Sequence, residues 1–320
     1  MWVQFAIVGL ALTSLVWSAS QLVARTSQLA RALAISPIIV GIGIIAVGTS
    51  LPELVVSVQA AMGNHSGLVV GNVLGSNIAN SLLVLGAGLL FAATALPRNA
   101  LLGWSALVLS LISTWFLYDG QLARWEASIL LLLLIPGVWL ILRESKYQEA
   151  PEVPAAESSP MQSMSRLALL RQVLFVLGFL LVLLISAEFL VSASIKIARG
   201  LDIDEQVIGL TILALGTSLP ELAAAIAAAR QKENELILAN LLGSNLFNQA
   251  GVMGIAGLIL PLSIEPAGIM RDLPVFVLAA IVVALLAWRA PSRPLSIWVG
   301  LVLVVSYLGY MVWLQQSVVT

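Results

Sequence analysis

No cysteine occurs in this chain, which excludes disulfides and thiolate-bound metals. The single histidine, His65, leaves no imidazole pair for zinc or copper, and its place in an expected external turn marks it as a bystander. Charge is scarce: 10% of the 320 residues are Asp, Glu, Lys or Arg, where a soluble domain carries about a quarter. A net charge of −1 offers no basic surplus for nucleic acid. No nucleophile–base pair, phosphate loop or haem ligand is recognisable. The chain is therefore not expected to be an enzyme or to hold a resident cofactor.

What is present is apolar. Hydrophobic residues make up 60% of the chain and the mean hydropathy is +1.04, which indicates an all-α integral membrane protein. Runs of bilayer-crossing length lie at 2–24, 35–62, 67–95, 100–118 and 124–142, and again at 172–198, 203–229, 235–261, 273–288 and 295–314. That makes about ten spans, at roughly 20 residues per crossing. The first lacks a basic leader and a small-residue cleavage site, so it is expected to be retained. The nine Trp are expected to anchor at the membrane interfaces.

Lys and Arg collect in cytoplasmic loops. With the N-terminus outside, the inner loops hold Arg25, Arg31, Arg98, Arg143, Lys146, Arg166, Arg171, Arg230, Lys232, Arg289 and Arg293, and the outer ones only Arg124, Lys196, Arg199 and Arg271. Both termini are thus expected outside, in a multi-pass protein of the plasma (inner) membrane.

One string, Gly-Thr-Ser-Leu-Pro-Glu, occurs at Gly48 to Glu53 and again at Gly216 to Glu221, an offset of 168 residues (216 − 48 = 168). At that offset Asn72, Gly75, Ser76, Asn77 and Asn80 recur as Asn240, Gly243, Ser244, Asn245 and Asn248. The chain reads as two five-helix repeats, 1–143 and 167–320, joined by a cytoplasmic linker at 144–166 that is rich in Pro and Glu. An odd number of spans per repeat sets the halves in opposite senses, an inverted repeat typical of secondary transporters.

Each string disturbs its helix. Pro52 cannot donate to the carbonyl of Gly48, nor Pro220 to that of Gly216, so both helices are expected to break. Broken backbone at that depth is tolerated only where protein buries it or a polar cavity receives it. Thr49 and Glu53, four residues apart, share one helical face, as do Thr217 and Glu221. Asn72, Ser76 and Asn80 form a polar stripe, and so do Asn240, Ser244 and Asn248. Gly75 and Gly243 allow close backbone approach or let the helix loosen.

Every donor in this set is oxygen, which suits hard cations such as Ca²⁺ or Na⁺ and not Zn²⁺ or Cu²⁺. Two carboxylates in low dielectric repel each other unless a cation sits between them, which favours exchange over leak. One intramembrane Glu can merely pair with a buried neighbour, but its duplication beside Pro, Thr and Ser argues for a site. Glu188, opposite Gln21, reads equally as a packing, interfacial or gating residue. Asp202, Asp204 and Glu205 read as a solvated external loop.

These motifs resemble the two alpha repeats of the cation/Ca²⁺ exchanger superfamily, spanning 41–88 and 209–256 here, and the prokaryotic sodium/calcium exchangers within it. The resemblance implies that Glu53 and Glu221 ligate Ca²⁺ with Thr49 and Thr217. It further implies Na⁺ sites at Ser50, Ser76, Ser218 and Ser244, with backbone oxygens near Ala46 and Ala214 and the shared Glu53 and Glu221. Asn80 and Asn248 would complete the central site. Pro52, Pro220, Gly48, Gly216, Asn72, Asn240, Gly75 and Gly243 would support it. Asn248 stands where potassium-dependent relatives carry Asp, so K⁺-independent Na⁺/Ca²⁺ antiport by alternating access is expected, with Ca²⁺, Na⁺ and the bilayer as partners and a monomer sufficient. The alternatives are a Ca²⁺/H⁺ antiporter using the same glutamates and, more distantly, a cation channel.

Overall fold

In hydrocarbon every backbone N–H and C=O needs an internal partner, so apolar runs of this length become helices. The computed structural model describes residues 2–33, 35–91, 100–147, 165–201, 214–289 and 295–319. They form α1 (Trp2–Leu33), α2 (Pro37–Thr49), α3 (Leu51–Met62), α4 (Ser66–Phe91), α5 (Ala100–Leu117) and α6 (Arg124–Tyr147). After the linker come α7 (Arg166–Gly200), a single turn at Ala214–Gly216, α8 (Leu219–Arg230), α9 (234–259), α10 (Pro266–Trp288) and α11 (Ile297–Val319). A two-residue antiparallel ribbon, β1 (Gln121–Leu122) with β2 (Leu262–Ser263), ties the α5–α6 turn to the α9–α10 turn.

Seven of the described helices are long and apolar enough to cross a membrane, or eight when α2 and α3 count as one bent span. α9 is not among them, because Asn240, Ser244, Asn245, Asn248 and Gln249 dilute its apolar run. The span expected at 203–229 falls partly outside the described residues, as do most of the linker and the acidic cluster Asp202, Asp204 and Glu205.

The helices form two layers. The most hydrophobic stretch of α4 is 83% buried, whereas the corresponding stretches of the other candidate spans are 17–39% buried. So α4, with α2, α3, α8 and α9, makes the core, while α1, α5, α6, α7, α10 and α11 turn apolar side chains outward. All nine Trp are among the exposed side chains. Small residues bring α2 and α9 together: a Cβ on Gly243 would lie 2.6 Å from the Ala46 Cβ, and one on Gly41 2.8 Å from that of Ala239. At Gly75 nothing among the described residues lies within 4 Å of an added Cβ, so of the two expected roles close approach does not apply there.

The two long helices α1 and α7, of 32 and 35 residues, pack along each other more extensively than any other pair. Gln172 donates to the carbonyl of Arg25 at 3.1 Å, Trp17 meets Phe179 edge to face, and Ser186 donates to Ser14 at 2.8 Å. Residue numbers fall along α1 as they rise along α7, so the pair is antiparallel. α4 and α9 are antiparallel too, since Ser76 meets Asn248 while Ser81 meets Asn245.

Candidate functional site

Each repeated string breaks its helix one residue before the Leu-Pro-Glu segment. Ser50 (φ −87°, ψ 7°) and Ser218 (φ −88°, ψ 4°) leave helical geometry in the same way, and α2 and α3 meet at 42°. Pro52 and Pro220 then open α3 and α8 near the first-turn positions that tolerate proline. Glu53 and Glu221 follow within that first turn, where the positive end of the helix dipole favours a carboxylate. Both are fully buried.

The break corrects one expectation. Thr49 and Glu53 do not share a helical face, because Ser50 lies between two helices that point in different directions. The hydroxyls serve the other half instead. Ser50 donates to a carboxylate oxygen of Glu221 at 3.0 Å, and Thr49 reaches the amide oxygen of Asn240 at 3.4 Å. The two strings are thereby crossed, and both carboxylates are buried within them.

The polar stripes support this crossing. Asn72 donates to the backbone carbonyl of Glu53 at 3.0 Å and Asn240 to that of Glu221 at 3.2 Å, which holds each glutamate's turn in place. The carbonyl of Ala46 accepts from Thr49 and from Ser244, both at 3.3 Å. Ser76 donates to Asn72 O at 2.7 Å and accepts from Asn248 at 3.2 Å. Ala214 opens the short turn before Gly216, and its side chain lies outside the description.

Several buried oxygens have no hydrogen-bond partner: both carboxylate oxygens of Glu53, Oε2 of Glu221, Oγ of Ser218, and Oδ1 of Asn80, Asn245 and Asn248. A buried polar atom left unpaired costs about 1–3 kcal/mol, more when charged. An oxygen-lined cage suits a hard cation, which takes about six to eight such atoms. Among the described residues no third acidic or imidazole group joins the two glutamates.

The family model for sodium/calcium exchanger proteins matches residues 3–143 and 171–315, most of the chain and both strings. The chain belongs to the sodium/calcium exchanger family. It is 36% identical to Inner membrane protein YrbG of Escherichia coli, over 97% of this chain and 94% of that protein. It is 30% identical to Sodium/calcium exchanger MaX1 of Methanosarcina acetivorans, over 97% and 98% of the two chains. Among solved structures, the sodium-calcium exchanger NCX_Mj superposes with a TM-score of 0.79 at 26% identity, covering 95% of this chain and 96% of that one. This exchanger-family chain is thus a multi-pass integral membrane protein.

Two residues singled out from sequence lie away from the cage. His65 sits at the exposed turn before α4, and Glu188 lies on an exposed face of α7. Other contributors carried no assigned role. Ser57 shares the Asn72 amide at 2.9 Å. Asn77, Ser81, Asn245 and Gln249 form a second layer of hydrogen bonds beside the cage. Asn77 and Asn245 stood in the repeated motif, but Ser81 and Gln249 differ in type at equivalent positions, so a search for identical residues passes over them.

Proposed function

We propose that this chain is a secondary antiporter that exchanges Na⁺ for Ca²⁺ by alternating access, independently of K⁺. The observation that carries the reading is the group of partnerless buried oxygens around two carboxylates drawn from different halves of the chain. Ca²⁺ sits between Glu53 and Glu221, with Thr49, Thr217, Asn80 and Asn248 supplying neutral oxygens. Na⁺ ions take flanking positions at Ser50, Ser76, Ser218 and Ser244 and at the Ala46 and Ala214 carbonyls, sharing the same glutamates. Because the carboxylates serve both ions, either cargo neutralises the pair, and the unoccupied, doubly charged cage is the costly state. That ordering yields exchange in place of leak.

In this reading ten spans form two inverted five-helix repeats, and the antiparallel pairing of equivalent helices supports it: α1 with α7, α4 with α9. The pair α1 and α7 slides across the core that bears the broken helices. It touches them where an added Cβ on Gly48 would meet Leu180 and one on Gly216 would meet Val191. Asn248 in place of a carboxylate leaves the central site one charge short of what a K⁺-cotransporting cage would hold. The paired site is complete within one copy, so a monomer suffices. The name of the Escherichia coli relative supports placement in the inner membrane; the Lys and Arg bias of the loops supports termini outside the cytoplasm.

The test is uptake of radiolabelled Ca²⁺ into proteoliposomes loaded with Na⁺, with and without K⁺, beside vesicles that carry only a proton gradient. Uptake that requires internal Na⁺ and ignores K⁺ is expected. Uptake driven by the proton gradient alone would reassign the chain as a Ca²⁺/H⁺ antiporter.

A further inference from the structure

We propose that Gln249 is a positioning residue for the cation cage: tied to α4 and α5, it fixes the turn that carries Asn248 and so sets how tightly Ca²⁺ is held. The inference rests on the transport reading above and adds a residue to it.

Asn248 and Gln249 are successive residues in a widened π-helical turn of α9, Phe247–Val252. Such turns break the regular hydrogen-bond ladder, so the side chains they carry are placed by their contacts more than by the helix. Two successive residues of α4 provide those contacts. Asn248 Nδ2 donates to Ser76 Oγ at 3.2 Å, and Gln249 Nε2 donates to Asn77 Oδ1 at 3.0 Å. The polarity is fixed outward from the cage. Asn77 spends its own amide hydrogens on the Val73 carbonyl at 2.7 Å, so its oxygen must accept. Gln249 Oε1 faces two hydroxyls of α5, Ser110 at 3.2 Å and Ser113 at 3.5 Å, with Ser110 sharing its hydrogen with the carbonyl of Ala106 at 2.9 Å. Gln249 is 1% exposed, which makes each of these bonds costly to lose. Held this way, Asn248 has its Nδ2 committed to Ser76 and its Oδ1 left free for a cation.

The other half lacks the anchor. Ser81 stands at the position equivalent to Gln249 (249 − 168 = 81) and receives a single bond, from Asn245 at 3.0 Å. On α10, Leu278 stands where α5 has Ser110 (278 − 168 = 110), and among the described residues Ser81 has no hydrogen bond from α10. There Asn80, the counterpart of Asn248, has neither amide atom partnered. One amide of the cage is thus fixed and the other is free to adjust to its ion.

The experiment uses the purified full-length chain. Gln249→Met keeps the side-chain length and removes the amide. Equilibrium binding of radiolabelled Ca²⁺ is expected to weaken about tenfold, from loss of a buried bond and the stranded Asn77 oxygen. In Na⁺-loaded proteoliposomes KM for Ca²⁺ rises in parallel while the maximal rate stays within about twofold. Asn77→Leu gives a shift in the same direction, and the double variant weakens binding by less than the sum of the two singles, since the Gln249–Asn77 bond is lost in both. Ser81→Ala shifts binding less than about twofold. Should Gln249→Met not fold, Ser110→Ala serves, with about a threefold weakening expected. Unchanged Ca²⁺ affinity in these variants, a fall in maximal rate with affinity intact, or an equal effect of Ser81→Ala would overturn the inference and leave the transport reading standing. A wild-type chain that binds no Ca²⁺ removes the transport reading, and this inference with it.

Discussion

The two repeats share their motifs residue for residue, yet they are packed unequally. Ser50 is bonded to Glu221, whereas its counterpart Ser218 has a free hydroxyl and Glu53 two free carboxylate oxygens. Thr49 is fully buried while Thr217 is only half-buried. The same inequality runs along the outer pair. On α7 Leu180 is 7% exposed, but its counterpart Leu12 on α1 is 50% exposed, and Val23 is buried where Val191 is half-buried. Because α1 and α7 are antiparallel, the better packed stretches, the later part of α1 and the earlier part of α7, lie at one end of the molecule. Under the proposed alternating access, this inequality is what one state is expected to show, the second state being the same arrangement with the halves exchanged.

The comparison can be broken most severely at the carboxylates. Despite their unequal partners, Glu53→Gln and Glu221→Gln should each lower Ca²⁺ uptake by at least about a hundredfold, since each leaves the other charge without its cation. The protein should still elute as a folded species in gel filtration. A variant that retained uptake would separate the two halves and end the shared-cage account. Next come the serines. Ser50→Ala, which strips a hydroxyl from Glu221, is expected to weaken Ca²⁺ binding about tenfold. Ser218→Ala should leave Ca²⁺ binding within about twofold and instead raise the Na⁺ needed for half-maximal exchange. Equal effects on Ca²⁺ binding would contradict the inequality of the halves.

Packing between layers gives the third case. Gly48→Val drives side-chain atoms into Leu180 and should cost about 1–3 kcal/mol, read as a lower melting temperature, with Leu180→Ala restoring much of it. The smallest effect is expected where Arg31 of α1 pairs with Glu233 at the α8–α9 turn, 3.4 Å apart with the Arg side chain 65% exposed. Water screens such a pair, so Arg31→Gln should shift stability by less than about 1 kcal/mol. A larger shift would mean that the closed end is held by this contact and not by the burial of α1 against its neighbours.

Much of this was legible in the residues themselves. Apolar run lengths placed the long helices, Pro52 and Pro220 marked the breaks, and the duplicated glutamates located the cage, since each signal is local and strong. The crossed pairing of Ser50 with Glu221 was not, because the break falls at Ser50 and its hydroxyl reaches the carboxylate of the other string. Nor were the widened turns at Asn80–Val84 and Phe247–Val252, which no residue pattern announces. α9 departs from the expected apolarity because its polar stripe, Asn240, Ser244 and Asn248, is buried against other helices instead of facing lipid. The inequality of the halves could not be read at all. Like sequences have like propensities, and which half closes is decided by packing.

The most direct test of the central claim, that one pair of glutamates in one cage serves both ions, is equilibrium binding of radiolabelled Ca²⁺ to the purified chain during titration with Na⁺. The account predicts one Ca²⁺ per chain, displaced steeply as several Na⁺ enter and absent from Glu53→Gln. Ca²⁺ that stays bound at saturating Na⁺, or binding that survives Glu53→Gln, would contradict it.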